Sequence, residues 1–281
     1  MVNQVIYYVF LLFDRFCPPY AKKAAWEQIY EKLAEGPSRG WAWQVPDFMN
    51  LGYSDLDPQT QVLDLEEGDE INRCYIRLYH HVATTWPVNF RNAEVLEVGC
   101  GHGGGASYVQ RYLRPKRVIG FDISEKSVGY CRKRHSMDGL GFQQGDAESM
   151  PFDDSRFDII LNVESSHCYP SMTKFLREIR RVLRPGGYFL FCDLRFTYQV
   201  EKLKRQMRES GMRTLKAEDI TANILKARGE DHGRLMQRTE GLSTIMRAVL
   251  RESFAAKSSE MYRLFALGRR KYLVFVLQKP Y

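Results

Sequence analysis

The six cysteines, at positions 17, 74, 100, 131, 168 and 192, form no C-x-x-C pair and no metal-ligand spacing. Their arrangement argues against a disulfide-stapled or zinc-built scaffold, predicts reduced thiols of a cytoplasmic compartment and implies no metal site. A membrane-length apolar run is missing as well. The run from Val5 to Phe13 falls far short of the roughly 20 residues that a spanning helix needs. No basic leader precedes it and Asp14-Arg15 follow, which argues against a secretory signal. Two uses stay open for this run. It can dock on the domain or on a subunit partner, giving a homodimer, or it can lie in a lipid interface as a peripheral membrane contact. A continuous positive strip is also absent. The net charge of +7 comes from 41 basic against 34 acidic residues, and Glu201, Glu209, Glu218, Asp219, Glu230 and Asp231 interrupt the basic stretches. With no recognised nucleic-acid module, nucleic acid is not an expected partner. Repeats and low-complexity tracts are absent too.

What is present begins with Val95-Leu96-Glu97-Val98-Gly99-Cys100-Gly101-His102-Gly103. An apolar strand runs into glycines that let the backbone turn sharply and approach a ligand with no Cβ in the way, and a helix from Gly104 offers unpaired N–H groups. A dinucleotide site places an apolar residue where Glu97 stands. Here the carboxylate would face a pyrophosphate, so a cationic cofactor without phosphates fits better. Further along, Val118 to Asp122 is a second short strand ending in an acid, 25 positions after Glu97, the length of one strand–helix–strand step. An acid there can take both hydroxyls of a ribose. Phe142 to Asp146 closes a third strand, Phe157 to Glu164 reads as the fourth, and Pro185-Gly186-Gly187 as the turn into the fifth.

In this order the motifs resemble the Rossmann-like, S-adenosylmethionine-dependent methyltransferases, from about Leu96 to Leu194. The resemblance implies S-adenosylmethionine as cofactor and S-adenosylhomocysteine as product. It implies cofactor contacts at Glu97, Gly99, Cys100, Gly101 and Gly103, at Asp122 and Ile123, at Asp146 and Ala147 beside the adenine, and at Asn162. Phe48 to Tyr53 looks like the aromatic-glycine element that many small-molecule members carry, with Tyr53 as a lid over the cofactor; the alternative is that Tyr53 only packs where the chain turns.

Ligands on open α/β sheets bind at the carboxyl ends of the strands, which puts the chemistry after the fourth strand, at Asn162-Val163-Glu164-Ser165-Ser166-His167-Cys168-Tyr169-Pro170. His167 is the expected general base, neutral at physiological pH and able to take a hydroxyl proton. Asp193, ending the fifth strand, either orients the imidazole, binds the acceptor or caps the next helix; Glu164 and Tyr169 are expected to touch the acceptor. The stretch 162–170 together with Gly101 to Tyr108 resembles the phthiotriol and phenolphthiotriol dimycocerosate O-methyltransferases. The acceptor this implies is a small lipophilic molecule methylated at a hydroxyl oxygen. A nitrogen or carbon acceptor stays open, as does a catalytically silent protein that keeps the cofactor fold.

The expected architecture is a doubly wound, seven-stranded, mostly parallel sheet with an N-terminal helical lid and a helical insertion before the last strand. Residues 1–68 form the apolar and aromatic extension and residues 69–281 the catalytic domain, with a substrate cap at about 198–255. Ile71, Tyr75, Leu78, Tyr79 and Val82 recur at three- and four-residue steps, which predicts a helix from Asp69 to Trp86 stopped by Pro87. The last strand is expected at Lys271 to Leu277.

Overall fold

Short apolar runs alternating with amphipathic stretches build a sheet whose central strands are buried on both faces. The computed structural model describes residues 47–57, 59–60, 63–240 and 244–281. The run from Val5 to Phe13, with Cys17, Trp26, Trp41 and Trp43, lies outside the described residues. The strands are β1 (Glu94–Val98), β2 (Arg117–Asp122), β3 (Leu140–Gln144), β4 (Phe157–Val163), β5 (Leu183–Phe196), β6 (Arg213–Asp219) and β7 (Arg270–Gln278). Their order across the sheet is β3-β2-β1-β4-β5-β7-β6, and β7 alone runs antiparallel to both of its neighbours. This is the expected Rossmann-like, mostly parallel fold, reversing direction on either side of β1.

Alternation along each strand feeds two apolar layers. Val95 points to one, with helix α1 (Arg73–Thr84), α2 (Gly104–Tyr108) and α3 (Glu125–Arg134). Leu96 and Val98 point to the other, where α4 (Met172–Val182) contributes Phe175, Leu176, Ile179 and Val182, and α5 (Thr197–Glu209) contributes Leu203 and Met207. Fully burying each of these side chains is worth about 1.5–3 kcal/mol, so the two layers supply the main drive for the fold. Among the described residues, four helices lie between β6 and β7: α6 (Thr221–Glu230), α7 (His232–Arg238), α8 (Thr244–Ser253) and α9 (Glu260–Ala266).

Two elements differ from the periodicity. The helix expected from Asp69 starts at Arg73, after a 3-10 turn over Glu67–Asn72 that leaves Ile71 exposed. The turn is tied off sideways: the Asp69 carboxylate accepts two hydrogen bonds from Arg111 and one from the Tyr112 hydroxyl. The Pro185-Gly186-Gly187 turn is an excursion within β5, because Phe157 pairs with Leu183 and Ile159 already with Tyr188. Gly186 sits there at φ +78°, its N–H held by the Lys279 carbonyl.

Candidate active site

The turn after β1 needs its glycines. Gly99, Gly101 and Gly103 have φ of +74°, +53° and +81°, a region costly for any residue with a Cβ. A Cβ on Gly99 would sit 1.8 Å from Ser165 Oγ, and one on Gly101 2.5 Å from Met49 Cε. These two glycines and Cys100 line a cavity at the carboxyl ends of β1, β2 and β4. Gly103 does not line it. Its missing side chain makes room for His135, Phe142 and Cys131 behind the turn, so its role is packing rather than contact.

Three acids close three strands around this space. Asp122 lines the cavity, accepts the Gly101 N–H at 2.9 Å and the Ser124 N–H at 3.0 Å, and burial raises its pKa. Ile123 lies beside it. Asp146 and Ala147 form the next part of the wall, where Asp146 accepts the Glu148 N–H at 2.9 Å. Glu97 is one layer deeper than expected. It accepts a hydrogen bond from the Tyr79 hydroxyl at 2.6 Å, and Tyr79, not Glu97, faces the cavity. Burial pushes the Glu97 carboxyl up to about 8, and its second oxygen, Oε2, is buried with no partner among the described residues. A buried orphan acceptor is rare and costly, and a cationic ligand beside Tyr79 is a partner of the right charge for it. The residues fit an aminoacid-bearing nucleoside: an orphan carboxylate oxygen, glycines permitting close backbone approach, and two lining acids at strand ends.

After β4, Glu164 takes a left-handed φ of +48° and lines the cavity. Oε1 of its carboxylate accepts hydrogen bonds from both the Leu51 N–H and the Tyr272 hydroxyl, and burial lifts its pKa to about 7. Tyr169 also lines the cavity, its hydroxyl bonded to Ser165 and to Asn162. Asn162 is fully buried instead of lining: its Nδ2 donates to the Val98 carbonyl at 2.8 Å and clamps β1 to β4.

His167 and Asp193 form a pair, with Nδ1 2.8 Å from Asp193 Oδ1, but neither lines the cavity. Asp193 is fully buried and also holds the His167 N–H, the Ser166 hydroxyl and Arg195. Burial opposes charge on His167, yet Cys168 and the Asp193 carboxylate outweigh it and raise the imidazole well above its ordinary pKa. Burial likewise opposes charge on Asp193, and His167 and Arg195 overcome it and hold its pKa low. The imidazole expected as a neutral base is thus paired with Asp193 and does not line the cavity.

Tyr53 is not a lid. It is buried against His81, rings stacked at 4.3 Å, and its N–H is held by the Cys74 carbonyl. The strap that crosses the glycine turn is a few residues earlier: Asp47, Met49 and Asn50 line the cavity, and the Asp47 carbonyl accepts the Gly104 N–H at 3.0 Å. Tyr79, Met49 and Asn50 escaped the sequence reading. Tyr79 is hidden in a helical packing pattern, while Met49 and Asn50 stand in the segment quoted for Tyr53.

Known proteins agree with this geometry. A family model described as a methyltransferase domain matches residues 96–191. The phthiotriol/phenolphthiotriol dimycocerosates methyltransferase of Mycobacterium tuberculosis is 39% identical over 258 residues, covering 92% of this chain and 93% of its own. A fatty-acid O-methyltransferase of Mycolicibacterium smegmatis is 45% identical over 179 residues, 64% of each chain. The crystal structure of geranyl diphosphate C-methyltransferase from Streptomyces coelicolor A3(2) shares the fold, with a TM-score of 0.63 at 14% identity over 90% of this chain and 97% of that one. Sheet order and family model together define a Rossmann-like, S-adenosylmethionine-dependent methyltransferase, with S-adenosylmethionine as its cofactor. Within that class, the chain belongs to the family of the phthiotriol/phenolphthiotriol dimycocerosates methyltransferases.

Proposed function

We propose that the enzyme methylates a hydroxyl oxygen of a small lipophilic molecule, with Glu164 as the group that takes the proton. The observation that carries this is the Glu164 carboxylate, lining the cavity at the end of β4 with a pKa near 7 and Oε1 anchored by Leu51 and Tyr272. A general base works best with a pKa close to the operating pH. Bound S-adenosylmethionine supplies a sulfonium methyl group. Glu164 would take the hydroxyl proton that the acceptor oxygen gives up on methylation. The residues that would hold the cofactor are Asp122 for the ribose, Asp146 and Ala147 for the adenine, and Tyr79 with Glu97 behind it for the ammonium. Positioning and exclusion of water carry much of the acceleration.

The lipophilic acceptor is supported by the printed names of the relatives, phthiotriol/phenolphthiotriol dimycocerosates and fatty acid. The fatty-acid O-methyltransferase relative favours one second reading, an acceptor carboxylate giving a methyl ester. In this reading the domain begins near residue 69, and α5, packed under the sheet, is not part of the roof. The residue 47–55 strap is held by α6 through Asn223 on the Ser54 carbonyl and Lys226 on the Asp55 carbonyl.

A methyl-transfer assay with labelled S-adenosylmethionine tests the assignment against long-chain alcohols and phenols, fatty acids and amines. Label in an ether is the expected result. Label in an ester establishes the second reading, and label on nitrogen or carbon overturns both.

A further inference from the structure

The carboxyl end of β5 meets the turn before β7 in an exposed patch that the catalytic reading does not use. Thr197 joins the two segments, its N–H held by the Arg269 carbonyl at 3.0 Å and its hydroxyl donating to the Gly268 carbonyl. Tyr198 and Leu267, flanking this junction, are 75% and 55% exposed. The Tyr198 ring stacks on Phe196 at 5.4 Å, and the Arg270 guanidinium lies 4.0 Å from the Phe196 ring centroid. Tyr198, Lys202 and Arg205 follow one another at i, i+4 and i+7 of α5, so they share a face. Lys202, Arg205 and Arg269 are exposed. Of the nearby acids, Glu201 is engaged by Lys204, Glu260 by Arg263 and Asp219 by Lys271, and the exposed Glu209 follows Arg205 by one turn at the far end of α5. Two exposed apolar side chains therefore stand among three exposed basic ones, Lys202, Arg205 and Arg269, against the exposed acid Glu209 on that face.

Position gives this patch its meaning. β5 runs parallel to β4, with Cys192 beside Val163, so Phe196 to Tyr198 emerge at the same edge of the sheet as the cavity. β7 runs antiparallel to β5, which brings Arg270 to that edge opposite Phe196. An aromatic and an aliphatic side chain within a basic rim is the composition that seats a protein in the interface of an anionic bilayer.

We infer that Tyr198 and Leu267, with Lys202, Arg205 and Arg269, form a docking surface for an anionic lipid bilayer, placing the mouth of the cavity against the membrane. The purpose of such docking, delivery of an acceptor too apolar to diffuse through water, rests on the proposed lipophilic acceptor. The docking itself is read separately.

The test is co-sedimentation of the full chain with vesicles of phosphatidylcholine, alone or with phosphatidylglycerol. Binding that requires phosphatidylglycerol and weakens with salt is expected. A basic residue at an anionic surface is worth about fivefold in affinity, so Arg205→Glu with Arg269→Glu should weaken binding by more than tenfold. Tyr198→Ser with Leu267→Ser should also weaken it by more than tenfold. S-adenosylmethionine affinity should stay unchanged in both variants, which reports intact folding. Equal binding to both vesicle types, or undiminished binding by the two variants, overturns the inference. If vesicle binding behaves as expected while no lipophilic alcohol, phenol or acid is methylated, the docking surface stands and the acceptor reading falls.

Discussion

Glu164 holds a φ of +48° at the end of β4, a strained conformation for a residue with a Cβ, costing about 1–3 kcal/mol. Strain of that size persists where neighbours over-determine it, and here Leu51 and Tyr272 grip the same carboxylate oxygen from distant parts of the chain. Glu164→Gln keeps the shape and the two donors but cannot take a proton. Its turnover should fall by at least tenfold with S-adenosylmethionine affinity kept, and the acid limb of kcat near pH 7 should disappear. The linkage has a definite sign. A carboxyl whose pKa rises from 4.5 to about 7 on folding destabilises the fold as pH climbs through that window. Glu164→Gln should therefore melt with wild type at pH 4 and above it at pH 8. A kcat profile that keeps its acid limb in the variant contradicts the assignment. The motif acids Glu97, Asp122 and Asp146 were legible because each lies next to its own strand end. The anchoring of Glu164 was not, since its two donors, Leu51 and Tyr272, lie more than 100 residues away along the chain.

At the scale of elements, the glycine turn is the most constrained segment, and the spacing of its glycines announced it. Gly99→Ala brings a Cβ into both Ser165 and Tyr169 at a positive φ, so turn and β4 loop must separate. Cofactor affinity should drop more than tenfold in a binding titration, with a lower Tm; affinity within twofold of wild type contradicts the close approach claimed here. The strands and most of the helices followed their hydrophobic periods. The start of α1 and the shape of the Pro185-Gly186-Gly187 stretch did not, because they are set by side chains from elsewhere: Arg111 and Tyr112 on Asp69, and Lys279 on Gly186. Tyr53 missed the cavity for the same reason, drawn away by His81 and Cys74.

Across the whole molecule, the helices between β6 and β7 are joined to the catalytic layer by a buried polar cluster. Arg228 and Asp231 pair at 3.2 Å, the Tyr75 hydroxyl donates to Asp231 at 2.8 Å, and Asn50 on the cavity wall holds the Tyr75 carbonyl. Removing one partner of a buried ion pair leaves the other uncompensated, at about 3–5 kcal/mol. Asp231→Ala should lower Tm by roughly 6–12 °C on that account, and a melt within 2 °C of wild type, as for an ordinary surface change of about 0.5 kcal/mol, contradicts it. None of this cluster was visible in the sequence, where Arg228 reads as one basic residue in a charged helix.

The central claim is that the cavity beneath the 47–50 strap binds S-adenosylmethionine through Asp122 and Asp146 on its wall and through Glu97 behind Tyr79. Calorimetric titration of the full chain with S-adenosylmethionine tests it most directly. The account predicts one-to-one binding, weakened about tenfold or more by Glu97→Gln and by Asp122→Ala, as expected for the loss of charge-assisted hydrogen bonds of ~1.5–3 kcal/mol. Absence of binding by the wild-type chain, or unchanged affinity in both variants, would contradict it.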